Sequence, residues 1–217
     1  MTAPFISNHQ YNLIKKQAVI IKGSSKKGID ASVAKAVKDS AYAKIMALFP
    51  DADREQTDLL DIARAEDDAE LDSIVEELQA YLVPFPELSE QKIKKLFPKS
   101  RKLKLPDLSR LGSDPMTYLG WNDIGTNKKY IVAEVEGRLA GVEFRFTMSS
   151  KHNVCSLCST HGQSAFISAV TRARKSNNPD YYKAVGNYVC FDSEECNKKI
   201  TDTQYLNDFI LEILEDK

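Results

Sequence analysis

All four cysteines of this 217-residue chain fall in its last third, first as Cys155-Ser-Leu-Cys158 and then as Cys190-Phe-Asp-Ser-Glu-Glu-Cys196. Two residues between the first pair let both sulfurs point at one ion, and four thiolates complete a closed tetrahedral shell. Cys155, Cys158, Cys190 and Cys196 are therefore read as one structural zinc site. The alternative use, two disulfides, is disfavoured in a reducing compartment. Met1-Thr-Ala-Pro opens without an apolar signal core, and the apolar run from Ile45 to Phe49 is too short to cross a bilayer. The cytoplasm is the expected location, with no membrane contact.

The second pair is spaced more widely than in a simple ribbon. Asp192 or Ser193 can cap a helix with Cys196 in its early turns, while Cys190 ends the preceding strand. Knuckle, hairpin and helix N-terminus in that order are the plan of a treble clef. His152 and His161 flank the first pair and are expected beside the shell rather than in it. A closed shell leaves no position for a reactive water, so the zinc is expected to be structural. The chain also has no glycine-rich phosphate loop, no Gly-x-Ser-x-Gly elbow and no His-Glu-x-x-His pair. A non-enzyme is expected.

Ahead of the cysteines the hydrophobic period is helical. Tyr11, Ile14, Ala18 and Ile21 share one face of a helix begun at Asn8 and stopped at Gly23. Asp30 opens a second, carrying Val33, Val37, Ala41, Ile45 and Leu48 before Pro50. Segments from Asp53 to Arg64 and from Asp67 to Leu82 follow, and Ser89 caps a short fifth helix with Ile93, Leu96 and Phe97, ended by Pro98. Short helices on short loops bury their stripes only against one another, which predicts an antiparallel bundle. Residues 99–126, rich in glycine and proline, read as loop or short extended pieces.

From Lys129 the period becomes two. Tyr130–Val135 and Val142–Met148 pair as strands around a turn from Gly137 to Gly141, with Val142, Phe144, Phe146 and Met148 on one side. Ala165–Arg174 and Ala184–Cys190 make a second hairpin, and a last helix starts near Thr203. The expected class is α+β: a helical bundle over 1–98 and a treble-clef-like zinc-finger domain over 99–217.

The formal net charge is -1, which lacks the basic excess of nonspecific nucleic-acid binders. Basic residues nevertheless gather from Lys92 to Lys104 and in the second hairpin. That hairpin sets Phe166, Tyr182 and Tyr188 among Arg172, Arg174, Lys175 and Lys183, a composition enriched in protein interfaces and also in RNA binders. A protein interface is the preferred use, with Phe166 and Tyr188 packed around the metal as the bland alternative.

With the helical first half, Lys151-His-Asn-Val-Cys-Ser-Leu-Cys158 and Asp180-Tyr-Tyr-Lys-Ala-Val-Gly-Asn-Tyr-Val-Cys190 leading on to Cys196, the chain resembles the elongation factor G-binding proteins of bacteria, which include the FusB-type fusidic acid resistance proteins. The resemblance covers essentially the whole length. It implies a helical domain joined to a treble-clef zinc finger with the four cysteines as ligands, and a monomer that binds elongation factor G through the second domain. It further implies that the protein frees the factor from ribosomes stalled by fusidic acid, with the ribosome an indirect partner and the drug unaltered. Phe166, Arg172, Arg174, Lys175, Tyr182, Lys183 and Tyr188 are the candidate partner-binding residues. The rival expectation is a zinc-finger protein that contacts ribosomal RNA directly.

Overall fold

The computed structural model describes residues 2–26, 28–100, 102–108, 115–172 and 182–214. The chain divides into two compact units, Met1–Val83 and Pro84–Lys217.

The first unit is helical: α1 (Asn8–Ser24), α2 (Ala31–Met46), α3 (Arg54–Leu60) and α4 (Asp68–Glu77), with short 3-10 turns after α3 and α4. Each start follows a polar cap. Asp30 Oδ1 accepts from the Ser32 N–H at 2.8 Å, and Asp67 Oδ1 accepts from the Glu70 N–H at 2.8 Å. For α1 the cap is Ser7, one residue earlier than expected, because Gln10 Oε1 reaches back to the Ser7 N–H at 2.9 Å and closes a capping box. The inward stripes meet in one core of Ile14, Ile21, Ile45, Leu60, Ile62, Leu71 and Leu78 with their neighbours. Val33, placed on the inner stripe of α2 by its spacing, is exposed instead, since it lies in the first turn beyond the reach of that core.

The second unit is built on a five-stranded antiparallel sheet in the order β1-β2-β3-β6-β7. Its strands are β1 (Tyr118–Asp123), β2 (Lys128–Val135), β3 (Arg138–Met148), β6 (Ser164–Val170) and β7 (Ala184–Cys190), while β4 (Asn153–Val154) and β5 (His161–Gly162) form a separate small pair. β1 lies inside the stretch read as loop or short extended pieces and is one such extended piece; its register is set by pairs such as Trp121 with Tyr130. The β2–β3 turn is the two residues Glu136 and Gly137, both at positive φ, the backbone of a tight primed hairpin turn. Gly141, expected in that turn, sits within β3 facing Val132. A Cβ there would stand 2.9 Å from both Leu96 and Phe97, so its role is to let a helix lie against the strand.

That helix is α5 (Glu90–Leu96), and it moves the expected domain boundary from after residue 98 to Val83/Pro84. Ile93 and Phe97 pack with Leu119, Tyr130 and Val132 on one face of the sheet. Phe97 meets Tyr130 edge-on at 5.3 Å, and Tyr130 stacks on Trp121 at 5.0 Å. Such ring pairs add about 0.5–1.5 kcal/mol beyond the area they bury. The opposite face carries Ile131, Ala133, Val142, Phe144, Phe146 and Ile167 and is covered by α7 (Gln204–Leu214), whose Phe209 stacks on Phe144 at 5.4 Å. Met148 lies on this side as expected but, at the end of its strand, is exposed. Among the described residues no helix is long and apolar enough to cross a membrane.

Ile14 is fully buried at the centre of the first unit. Ile14→Ala is expected to cost about 2–5 kcal/mol in urea unfolding of that unit, while zinc content stays at one ion per chain.

Candidate metal centre and adjoining surface

Three local structures bring the cysteines together. The first is the turn Cys155–Thr160, where the Cys155 N–H donates to Thr160 O at 2.9 Å and the Ser159 N–H donates to Cys155 O at 2.8 Å. Ser159 takes a positive φ of 56°, which folds the turn tightly enough to aim both sulfurs inward. The second is the end of β7, which delivers Cys190. The Ser156 N–H and hydroxyl both donate to Tyr188 O, at 2.9 and 2.8 Å, and so strap the knuckle to this strand. The third is α6 (Ser193–Asn197), begun by Asp192 Oδ1 accepting from the Glu194 and Glu195 N–H groups at 2.8 and 3.3 Å, which presents Cys196.

The result is four buried sulfurs, all within 4.8 Å of one another. Cys155 Sγ lies 3.8 Å from Cys196 Sγ, and Cys158 Sγ lies 3.6 Å from Cys190 Sγ. A tetrahedron with zinc–sulfur bonds of about 2.3 Å has edges of about 3.8 Å, whereas a disulfide needs about 2.05 Å. The donor set therefore fits one tetrahedrally held zinc ion. The electrostatics agree: sulfurs this close compete for protons. Hydrogen bonding with Cys155, then with Cys190 and Cys196, holds Cys158 far below the usual thiol range, while Cys155, Cys158 and Cys190 push Cys196 far above it. A divalent cation resolves that conflict by stabilising every thiolate at once. Two further donors reach the sulfurs, the Thr160 hydroxyl at 2.9 Å from Cys158 and the Cys190 N–H at 3.2 Å from Cys155.

Around the cluster the packing leaves almost no slack. α6 lies so close to β1 that a Cβ on Gly120 would overlap the Ser193 side chain. Asn197 fixes that approach: its Nδ2 donates to Tyr118 O at 2.9 Å and its Oδ1 accepts from the Thr117 N–H at 2.7 Å. The Tyr118 hydroxyl is fully buried beside Cys196 with no hydrogen bond of good geometry, and burial first, then the charge of Cys196, holds its proton on. Lys129 is likewise fully buried. Its ammonium donates to Ser193 Oγ at 2.8 Å, Phe191 O at 3.0 Å and Asn122 Oδ1 at 3.2 Å. Burial pulls its pKa down to about 8, against the opposing pull of Cys196, Cys190, Asp192 and Cys155. The sequence reading passed over Lys129, although the alternation shared with Ile131, Ala133 and Val135 marks it as an inward lysine. His152 and His161 stand outside the sulfur cluster as an exposed edge-to-face pair with ring centres 5.7 Å apart.

Of the candidate partner-binding residues, Phe166 and Tyr188 share one face of the β6–β7 hairpin. Phe166 and Tyr188 are cross-strand partners on β6 and β7, 40% and 38% exposed, and meet edge-on at 5.3 Å. Ile167 and Val189, which alternate with them along the two strands, are buried in the core that also holds the cysteines. Gly186 makes room for the Phe166 ring, which would stand 2.9 Å from a Cβ there. Tyr182 is 72% exposed just before β7, and Lys183, also exposed, pairs with Glu212 at 2.5 Å. Arg172 is exposed after β6, and Arg174 and Lys175 lie outside the described residues. In the basic stretch, the Lys92 ammonium donates to Glu87 O and Lys94 pairs with Glu90 at 3.2 Å, so two of its charges are engaged locally.

Comparisons with known proteins meet this geometry from two directions. Residues 5–86 match the family model described as elongation factor G-binding protein, N-terminal, and residues 97–208 match the model described as FBP C-terminal treble-clef zinc-finger. Among solved structures, that of the fusidic acid resistance protein FusC is similar over 97% of this chain and 98% of that one, with a TM-score of 0.79 and 25% sequence identity. No curated protein sequence matches the chain.

Cys190→Ser is expected to abolish tight zinc binding and to expose the amides of β6, β7 and α6 to hydrogen exchange. Metal-binding energy at such a site is folding energy, of the order of 10 kcal/mol or more. The amides of α1 to α4 are expected to keep their protection, because none of the cysteines belongs to that unit. Gly120→Ala, which pushes Ser193 away, is expected to destabilise the second unit by about 1–3 kcal/mol with zinc still bound, read by calorimetry.

Proposed function

The chain belongs to the elongation factor G-binding protein family, and from that membership we propose that it binds elongation factor G with its zinc-finger unit and thereby protects translation from fusidic acid. The observation that carries the reading is the uncovered aromatic patch on a metal-braced sheet. Sheet residues on that face are covered by α5 over β1 and β2, whereas over β6 and β7 Phe166, Val170 and Tyr188 stand exposed. Aromatic anchors with cations at the edge are the composition of protein-binding hot spots. Arg172 and Lys183 supply those cations at one end of the hairpin.

The protein acts by binding alone, as a cytoplasmic monomer, and performs no chemistry on the drug. Its effect on a stalled factor follows from linkage. A protein that binds the free or departing conformation of the factor better than the ribosome-bound one shifts the population toward release by the difference in the two affinities. About 1.4 kcal/mol of such preference changes the bound-to-released ratio tenfold. The ribosome enters only through this equilibrium, and RNA is not the ligand.

The test is titration of purified elongation factor G with the zinc-loaded protein by calorimetry, beside the Phe166→Ala/Tyr188→Ala double variant. The unmodified protein is expected to bind, and the double variant to lose at least about 2 kcal/mol of binding energy with unchanged zinc content. Absence of binding by the zinc-loaded protein overturns the reading. Binding to ribosomal RNA alone, with an affinity that falls steeply with salt and no binding to the factor, favours the RNA alternative.

A further inference from the structure

We propose that Lys129 is the counter-charge of the metal centre, a positioning residue whose buried ammonium offsets the negative charge of the zinc tetrathiolate and clamps the loop between its last two ligands. The inference rests on the zinc site described above. One divalent cation with four thiolates leaves the site with a net charge of about −2, and a buried net charge is costly unless a partner of opposite sign lies nearby.

Among the described residues Lys129 is the buried basic side chain, at 0% exposure. Its position is not an accident of packing. β2 points it to the same face as Ile131 and Ala133, the face that the cysteines close. All three of its hydrogen-bond acceptors are neutral oxygens, and the negative groups whose charge acts on it are Cys196, Cys190 and Cys155 together with the Asp192 carboxylate. Two of the three, Phe191 O and Ser193 Oγ, belong to the loop that runs from Cys190 to Cys196. The ammonium thus grips the backbone between two ligands while directing its positive charge at the cluster they form. The Asn122 amide completes the clamp: its Oδ1 accepts from Lys129 and its Nδ2 donates to Phe191 O at 2.9 Å. A hydrophobic side chain of the same length would fill the space but supply neither charge nor donors. Outer partners of this kind tune both the affinity of a site and the basicity of its ligands.

The test uses the full zinc-loaded chain with three variants: Lys129→Met, Asn122→Ala and Asn122→Asp. Zinc affinity is read by chelator competition, ligand geometry by the absorption of the cobalt-substituted protein, and thiolate reactivity by the rate of cysteine alkylation with iodoacetamide. Lys129→Met is expected to keep the tetrahedral cobalt bands, lose about 10- to 100-fold in zinc affinity and alkylate faster, because uncompensated thiolates are stronger nucleophiles. Asn122→Asp, which keeps an acceptor for the ammonium but sets a carboxylate charge against it, is expected to bind zinc more weakly than Asn122→Ala, which removes both hydrogen bonds without adding charge. Zinc affinity and alkylation rate unchanged in Lys129→Met overturn the proposal. Equal affinities for the two Asn122 variants overturn it as well, and decide the matter if Lys129→Met does not fold. A parent protein that binds no zinc overturns the zinc site itself, an outcome distinct from either.

Discussion

Four cysteine sulfurs confined within 4.8 Å repel one another as thiolates, and a divalent cation among them turns that repulsion into cohesion. The second unit depends on this exchange. Cys155 and Cys158 lie on a turn, Cys190 at a strand end and Cys196 on a five-residue helix, and none of these is stable alone. Joined through one ion they bind the knuckle to β7 and α6 to β1. The cost of the arrangement appears in its neighbours: Gly120 gives up its side chain, Asn197 spends its amide on the backbone of β1, and Lys129 is held in the interior.

The same constraint explains why the unit has two unlike faces. One side of the sheet meets the cysteine cluster and α7 and is filled by Phe144, Ile167 and Phe209. The other is covered by α5 where Trp121 and Tyr130 stack, then left open where Phe166 and Tyr188 pair. An edge hairpin with its aromatic side uncovered would be a poor candidate for a fixed shape without help. The knuckle supplies it, through the two donors of Ser156 that end on Tyr188 O. The exposed aromatic pair and the metal site are thereby linked through the backbone of Tyr188.

Much of this was legible in the sequence because it rests on short-range rules. The Cys-x-x-Cys spacing, the helix start at Asp192 and the alternation through Val142, Phe144 and Phe146 each express local geometry, and the structure places them as expected. What escaped depends on long-range packing. α5 has the look of a fifth bundle helix, and only the aromatic surface of Tyr130 and Trp121 shows why it belongs to the sheet. β1 reads only as one of several short extended pieces, because its Gly120 is there to admit Ser193, a reason more than seventy residues away in the chain. Gly141 reads as a turn residue until Phe97 is seen lying against it. Phe166 and Tyr188 could be named from composition, but their side of the sheet was settled by pairing with β3 and by the burial of Ile167 and Val189.

The central claim is that bound metal holds the aromatic face in shape. Its most direct test is hydrogen exchange, resolved by residue, on the whole protein before and after removal of zinc by a chelator. The expected result is loss of protection across β6, β7 and α6, with the amides of Phe166 and Tyr188 among those released and the helices α1 to α4 unchanged. Retention of full protection in β6 and β7 by the zinc-free protein would contradict the account.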